Sequence, residues 1–249
     1  MKLLAIVGSY RTGKTIDTLT ERAIAGAHAN EGVSVETVRL IDRDIKYCSN
    51  CMVCRNDDPS KEIAKCSIDD DMQEIYPAIQ QADGFIFATP INIGTVTAVM
   101  KTFLERTCWT LAKPGTRPIK GCPQPRTTFR KRAIIILSSG AVPPILRRFC
   151  DDATSLIKSS CECSFGADVV GTLYAGAVEK RGIDRYLDKA YELGKRLTRD
   201  AALPTGPAAF DSTPYIGTPP SQNIPSRTQN HWYLFPSQER ETQWMTSRF

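Results

Sequence analysis

The sequence predicts an α/β fold in which helices cover both faces of a doubly wound, five-stranded parallel sheet. Continuous apolar runs at 3–7, 85–88 and 133–137 are typical of strands buried on both faces. Segments with apolar residues at helical spacing alternate with these runs. Each of the three runs ends in a loop containing Gly, Ser, Thr or Asn, which is where an open parallel sheet binds its ligand.

The elements can be assigned in order along the chain. The predicted strands cover residues 3–7, 33–40, 85–88, 133–137 and 164–173. The predicted helices cover residues 15–30, 68–82, a segment that includes 99–104, a segment at 143–157, and 182–199. We expect the acidic run 69–71 in the first turn of its helix, where the dipole favours negative charge. The segments 42–67 and 107–130 contain prolines and no period, so long loops are expected there.

Composition limits the class of protein. With 249 residues, we expect one α/β domain at 1–200 and a Pro-rich, aromatic-containing, irregular extension at 201–249. No apolar run approaches the roughly 18 residues of a membrane span, and the first strand runs into its loop without a signal-peptide cleavage site. These observations favour a cytoplasmic protein without a membrane partner. The net charge of +5 and the lack of long basic runs give no support to nucleic acid binding.

The loop after the first strand indicates a phosphate ligand. Residues 8–15 read Gly-Ser-Tyr-Arg-Thr-Gly-Lys-Thr, which matches the P-loop pattern of nucleotide triphosphatases. The same loop could instead hold one terminal phosphate at a helix N-terminus through Ser9, Arg11 and Thr15. A P-loop enzyme also needs an acidic residue at a strand end for magnesium. Only Asp42 could serve, and it follows a half-polar strand, so a P-loop nucleotide hydrolase is the weaker alternative.

Four of the nine cysteines are clustered in the segment 42–67. The spacing Cys48-x-x-Cys51-x-x-Cys54 allows three thiolates to converge, and Cys66 is the natural fourth ligand. A [4Fe–4S] cluster, free thiols and a structural zinc site remain open. The other five cysteines share no spacing, and we expect them to pack as small buried hydrophobes.

Several blocks in the correct order resemble the flavodoxin-like NAD(P)H-dependent FMN reductases, including the branch called iron–sulfur flavoproteins. The resemblance covers residues 1 to about 200. Its blocks are Gly8-Ser9-Tyr10-Arg11 with 13–17, the cysteine segment with Asp70-Asp71-Met72, Ala82-Asp83-Gly84, Thr89-Pro90-Ile91-Asn92-Ile93-Gly94, Lys101, and Glu105-Arg106. The resemblance implies a flavodoxin-like sheet with the strand order 2-1-3-4-5.

The resemblance also implies the residues that bind the cofactor FMN. The FMN phosphate would lie on Ser9, Arg11, Gly13, Lys14 and Thr15. The isoalloxazine ring would lie on Pro90, Ile91, Asn92, Ile93, Gly94 and Thr95. The polar edge of the ring would be flanked by Ser139 and Gly140. A separate hypothesis is that the 2′-phosphate of NADPH binds to the cations Arg117, Lys120 and Arg126. The simpler alternative is that these three side chains form a solvated basic loop.

The function implied is that of an FMN-dependent oxidoreductase that takes hydride from NAD(P)H and passes electrons to an unidentified small-molecule or protein acceptor. Because the flavin carries this chemistry, no catalytic side chain is assigned, and Asp83, Glu105 and Asp168 are expected to be structural charges. An alternative is an iron–sulfur flavoprotein electron carrier with a [4Fe–4S] cluster on the four clustered cysteines. The resemblance further implies a homodimer or homotetramer.

Overall fold

The computed structural model describes residues 1–115 and 122–199. Its centre is a five-stranded parallel sheet formed by β1 (Lys2–Val7), β2 (Ser34–Arg39), β3 (Gly84–Pro90), β6 (Lys131–Ser138) and β7 (Ala167–Ala175). Two short strands, β4 (Ala112–Pro114) and β5 (Pro123–Pro125), form a separate antiparallel ribbon. The sheet order is β2-β1-β3-β6-β7, and every neighbouring pair is parallel. Since β6 and β7 are the fourth and fifth strands of this sheet, the predicted doubly wound order is confirmed.

Helices cover both faces of the sheet. They are α1 (Thr15–Ala27), α2 (Met72–Gln81), α3 (Ala98–Leu111), α4 (Ala153–Ser160), α5 (Val178–Arg181) and α6 (Asp184–Thr198). Two 3₁₀ turns, Leu40–Asp42 and Pro144–Phe149, and one π turn, Cys161–Phe165, complete the regular structure.

Alternate residues of each central strand enter different cores. Phe85 and Phe87 pack with residues of α2, α3 and α4, whereas Ile86 packs with residues of α1 and α6 on the opposite face. This two-sided burial explains why the strands are continuously apolar. Helices α1 and α6 cross closely because Gly26 and Gly194 lie at their contact, where a Cβ atom would come within 2 Å of a backbone carbonyl oxygen.

The acidic run 69–71 does not lie in the first turn of a helix, so that prediction was wrong. Helix α2 begins at Met72, and the carboxylates before it bind other backbone segments. Asp70 Oδ2 accepts a hydrogen bond from Lys46 N–H at 2.8 Å, and Asp71 Oδ2 accepts one from Asp44 N–H at 2.9 Å. These acids therefore fasten the start of the cysteine segment to the start of α2.

Two further segments differ from the sequence-based prediction. Helix α3 continues to Leu111 and is followed by the β4–β5 ribbon, although 107–130 was expected to be irregular. Prolines are tolerated here because each strand of a two-stranded ribbon is an edge strand. The helix expected at 143–157 is divided, since Asp152 N–H binds Gly94 O instead of continuing the helical pattern.

None of the helices in 1–115 and 122–199 is long and apolar enough to cross a membrane. The predicted extension at 201–249, and with it the proposed boundary near residue 200, lies outside the described residues.

Candidate functional site

Three loops meet at the carboxyl edge of the sheet, after β1, β3 and β6. Gly8 N–H donates to Ala88 O at 2.8 Å, which joins the first loop to β3. Ile91 N–H donates to Ser138 O at 2.8 Å, which joins the second loop to β6. The three segments chosen from the sequence are therefore neighbours in space, at the position where the strand order reverses around β1.

The phosphate loop, residues 8–15, ends at the amino terminus of α1. Lys14 is the N-cap residue in an extended conformation, and in the described chain no side chain caps the helix. The amide groups of the first turn are therefore free to bind an anion, which the helix dipole also favours. Ser9 is buried, and its hydroxyl fixes the loop by accepting from Arg11 N–H at 3.2 Å and donating to Arg11 O at 3.0 Å.

The phosphate loop is also fastened to α3. Gly8 O accepts a hydrogen bond from the Thr97 hydroxyl at 2.6 Å, and the Tyr10 hydroxyl accepts one from Ala98 N–H at 2.9 Å. Gly8 is required by close approach, since a Cβ atom there would lie 2.8 Å from Met100 Cβ. The first loop and the helix after the second loop thus form one rigid unit.

The second loop forms a tight turn at 92–95. Asn92 N–H donates to Thr95 O at 2.9 Å, and Thr95 N–H donates to Asn92 O at 3.0 Å. The two central residues have positive φ angles, 47° at Ile93 and 77° at Gly94. Positive φ is strained for a β-branched residue, and the Ile93 side chain is fully exposed. An exposed, strained isoleucine at the ligand edge points to a contact with a ligand or another surface.

The third loop is joined to the end of β7 and is closed by a turn of its own. Ser139 N–H donates to Ala175 O at 2.9 Å, and the Ser139 hydroxyl accepts from Val142 N–H at 3.2 Å. Gly140 lies against Glu179, where a Cβ atom would come within 2.3 Å of the carboxylate. These residues contribute a narrow wall at the edge of the crevice.

Sequence reasoning missed an ion pair behind the phosphate loop. Asp17, in the first turn of α1, accepts from Gly13 N–H with one carboxylate oxygen, and its other oxygen lies 2.6 Å from Arg39 Nη1. Arg39 stands at the carboxyl end of β2, next to β1. The sequence does place a cation at the end of the strand after the phosphate loop, and that position could have indicated an ion pair with Asp17.

The four clustered cysteines line one small, solvent-open cavity together with Arg106 and Trp109. Cys48 and Cys51 are exposed, whereas Cys54 and Cys66 are half-buried. Burial raises the pKa of Cys54, and the negative charges of the other three thiolates raise it further. The Ser67 hydroxyl, 3.1 Å from Cys51 Sγ, lowers the pKa of Cys51. The thiols thus face a shared space and influence one another electrostatically.

A buried ion pair forms the floor of the cysteine cavity. The Arg106 guanidinium binds both oxygens of Asp70, and Nη2 donates to Cys66 Sγ at 3.4 Å. Burial opposes ionisation of Asp70, but Arg106 and the Lys46 N–H hold its pKa below the usual value. Arg106 therefore places a fixed positive charge beside a cysteine sulfur.

Arg126 is not a nicotinamide-phosphate residue, which corrects one prediction. It is buried, and its guanidinium donates to four backbone carbonyls, those of Ala112, Asp58, Lys61 and Cys54. These bonds fasten the cysteine segment to the β4–β5 ribbon. Arg117 and Lys120, named with Arg126 in that prediction, lie outside the described residues.

Metal-binding side chains are not gathered around one point in the described ranges: no group of three or more His, Cys, Asp or Glu there is arranged to hold a metal ion. A structural zinc site would need four thiolates within about 2.3 Å of one ion, whereas each cysteine of a [4Fe–4S] cluster binds a different iron at the corner of a larger cube. A cluster, a zinc site and free thiols all stay predictions for the four cysteines.

Two other predictions concern charges and thiols. Asp83, Glu105 and Asp168, which we expected to be structural charges, each have a partner: Asp83 accepts from Lys2 N–H at 2.7 Å, Glu105 pairs with Lys101, and Asp168 pairs with Arg130. Of the five remaining cysteines only Cys161 is fully buried, so the expected burial was wrong for the other four, which are partly exposed.

The geometry also weakens the nucleotide hydrolase alternative. Asp42, the only magnesium ligand named from the sequence, lies 3.3 Å from Arg39 Nε in an ion-pair contact. The buried strand next to β1 on the other side, β3, ends in Thr89 and Pro90 rather than an acid.

Comparisons with known proteins agree with this arrangement. The family model for NADPH-dependent FMN reductases matches residues 1–143. An iron–sulfur flavoprotein of Methanocaldococcus jannaschii is 37% identical over 107 residues, 43% of this chain and 51% of that protein. One from Methanosarcina thermophila is 34% identical over 106 residues, 43% of this chain and 52% of that protein.

The chain therefore spans about half the length of the curated relatives it matches. Among solved structures, an NAD(P)H:quinone oxidoreductase from Methanothermobacter marburgensis aligns with a TM-score of 0.59 at 15% identity, over 79% of this chain and 98% of that one. At 15% identity this structural similarity shows a shared fold and nothing about activity. The match over residues 1–143 is more than half of the sequence, and the chain belongs to the NADPH-dependent FMN reductase family.

Proposed function

We propose that this protein is an FMN-dependent oxidoreductase that takes hydride from NAD(P)H and passes the electrons to an acceptor. The observation that carries the proposal is the uncapped amino terminus of α1 behind a glycine-containing loop, next to a strained, exposed turn at the same sheet edge. A group with a phosphate at one end and an apolar ring at the other matches both features. Family membership favours FMN as that group.

The phosphate of FMN would be held by the phosphate loop. Amide groups at the start of α1 and the Thr15 hydroxyl supply donors, and the exposed cations Arg11 and Lys14 supply charge. Gly13 has a φ angle of 66°, which glycine adopts without strain, and nothing lies within 4 Å of its Cβ position, so the loop is open on that side, while its N–H is held by Asp17.

The ring would lie across the residues that follow β3. Ile93 and Gly94 present the turn, with Pro90, Ile91, Asn92 and Thr95 supporting it, and Ser139 and Gly140 would flank the polar edge. An aliphatic wall rather than an aromatic one then contacts the ring. The turn is kept in place by Asp152 N–H, which donates to Gly94 O at 2.7 Å.

When bound, FMN supplies the hydride and electron chemistry, and the protein supplies binding and orientation. The chain's residues therefore act by fixing the phosphate and shaping the ring pocket, and no side-chain acid or base is required. The acceptor is unidentified and could be a small molecule or another protein.

An FMN titration and an NADPH assay test this proposal. Flavin fluorescence should be quenched as FMN is added to flavin-free protein, and the loaded protein should oxidise NADPH. Arg11→Met should weaken FMN binding about tenfold by removing a charged phosphate donor. Arg22→Met is the matched control, because Arg22 pairs with Asp188 away from the loop. Magnesium-dependent ATP hydrolysis without FMN binding would contradict the proposal.

A second candidate function is that of an iron–sulfur flavoprotein electron carrier. It is favoured by the shared cavity of Cys48, Cys51, Cys54 and Cys66 and by the names of the curated relatives. Asn50 and Met52, which flank Cys51, have positive φ angles of 52° and 62°. Backbone strain at two residues of one short segment is typical of a site built around a ligand.

Iron and sulfide analysis of anaerobically purified protein tests the second candidate. About four irons and four sulfides per chain are expected, together with visible absorption beyond that of flavin. Cys48→Ser should abolish the iron, whereas the control Cys150→Ser should retain it. Absence of iron after anaerobic reconstitution would leave the cysteines as free thiols.

We also propose a homodimer or homotetramer. Ile145, Leu146 and Phe149 are exposed apolar side chains on the 3₁₀ turn that precedes Asp152, and Ile93 is exposed on the turn that Asp152 holds. Clusters of exposed apolar side chains are typical of contact surfaces. Light scattering should therefore give at least twice the mass of one chain. A cytoplasmic location, without nucleic acid or membrane partners, stays a prediction.

A further inference from the structure

Behind the phosphate loop lies an ion pair that the proposed FMN site does not itself use. Asp17 is only 6% exposed and Arg39 is 21% exposed, so the pair is largely shielded from water. One oxygen of Asp17 accepts from Gly13 N–H, and the other binds Arg39. The carboxylate therefore lies directly against the backbone that would surround a phosphate.

Arg39 connects three parts of this region. Nη1 binds Asp17 at 2.6 Å, Nη2 donates to the Thr12 hydroxyl at 3.2 Å, and Nε lies 3.3 Å from Asp42 Oδ2 in an ion-pair contact. Thr12 is a member of the phosphate loop, and Asp42 is in the 3₁₀ turn after β2. The rigid, planar fork of arginine makes two hydrogen bonds, to Asp17 and to Thr12, at a geometry that lysine could not reproduce.

The charge of Asp17 has opposite consequences for folding and for ligand binding. In the first turn of α1 it is favourable to the helix dipole. Close to a bound phosphate, however, an uncompensated carboxylate would repel the ligand, and in a shielded site that repulsion is strong. Arg39 removes this conflict by pairing with the Asp17 oxygen that does not bind Gly13, while its other Nη atom donates to Thr12 of the loop.

We propose that Arg39 is a positioning residue for the FMN phosphate, which it serves by neutralising Asp17 and fixing Thr12. The inference rests on the proposed FMN site and extends it to a residue that would not touch the cofactor. Arg39 should therefore contribute to the binding of the phosphate and not to the binding of the ring.

Riboflavin, which lacks the phosphate, separates these contributions. We expect Arg39→Met to weaken FMN binding by about ten- to one-hundredfold, as is usual when a buried charged partner is removed. Riboflavin affinity should change less than about threefold. Arg22→Met, which also removes an Arg–Asp pair, should leave both affinities at the wild-type value.

A double variant tests the electrostatic part of the argument. In Asp17→Asn/Arg39→Met the carboxylate charge is gone, and the asparagine oxygen can still accept from Gly13 N–H. FMN affinity should recover by at least about fivefold relative to Arg39→Met alone, the sign of direct coupling in a double-mutant cycle. Thermal unfolding of each variant shows whether the protein is folded. If Arg39→Met alone is unstable, the double variant is compared with the wild type, relative to which it should lose no more than about twentyfold in FMN affinity and keep its riboflavin affinity.

The outcomes are distinguishable from failure of the proposed function. If the wild-type protein binds FMN no better than riboflavin, the phosphate loop itself is wrongly assigned. If the wild type prefers FMN and Arg39→Met keeps that preference, only the role of Arg39 is refuted. Equal loss of FMN and riboflavin would also refute it, because Arg39 would then support the crevice as a whole.

Discussion

Replacing Ile93 by glycine should stabilise the flavin-free protein while weakening flavin binding. Ile93 has a φ angle of 47°, and its side chain is fully exposed, so its removal forfeits no packing. Relief of the left-handed conformation is worth about 1–2 kcal/mol, and the extra freedom of glycine in the unfolded chain costs about 0.4–1 kcal/mol. The net gain is therefore between about 0 and 1.6 kcal/mol, with a central value of about 0.8 kcal/mol that corresponds to a rise in Tm of roughly 2–3 °C.

Urea denaturation of flavin-free protein measures this change, and two variants serve as controls. Ile93→Ala keeps the strained φ angle and should leave the free energy of unfolding near that of wild type. Gly94→Ala should lower it by about 1 kcal/mol, since Gly94 has a φ angle of 77° but space for a Cβ atom. Both Ile93 variants should weaken FMN binding alike. If Ile93→Gly unfolds at the same or a lower urea concentration, the strain argument is refuted.

Three further predictions concern buried and reactive groups. Arg126→Met should lower the free energy of unfolding by about 3 kcal/mol, because it leaves four backbone carbonyls without their donor, and urea denaturation checks this. Burial lowers the pKa of Lys131 to about 8 from 10.5, so the unfolded chain binds the extra proton between those values. The free energy of unfolding contributed by Lys131 should therefore rise from pH 8 to 10, and Lys131→Met should remove that rise. Iodoacetamide at pH 7 should alkylate Cys51 before the buried Cys161, and Ser67→Ala should slow the reaction, as mass spectrometry of peptides would show. Equal rates of alkylation at Cys51 and Cys161 would contradict this prediction.

Local patterns in the sequence were sufficient for the sheet and for the loops at its edge. Strands such as β3 are buried on both faces, so their composition reveals them without knowledge of their neighbours. The parallel order then brings the loops after β1, β3 and β6 together, which is why residues 8–15, 90–95 and 139–140 could be chosen from the sequence. Boundaries failed where a side chain outside the helix sets its start, as at Asp70, whose carboxylate accepts from the N–H of Met72, the first residue of α2.

The roles of buried charges were decided only by the tertiary structure. Arg126 looked like one cation in a basic loop, yet it binds Cys54 O across 72 positions of the chain. Asp70 and Arg106 are 36 positions apart, and neither residue by itself indicates a partner. Such pairs depend on which segments pack together, and no local period encodes that choice.

By itself the sequence determined the α/β class and the loops that follow its buried strands, because apolar periodicity and turn residues act over short stretches of chain, and the resemblance to the FMN reductases supplied the strand order. Only the tertiary structure decided that the four clustered cysteines share one cavity and that Arg39 faces Asp17 behind the phosphate loop. The physical reason is that burial and charge pairing are properties of the packed molecule: the energy of a charge depends on what surrounds it, and the surroundings come from distant parts of the chain.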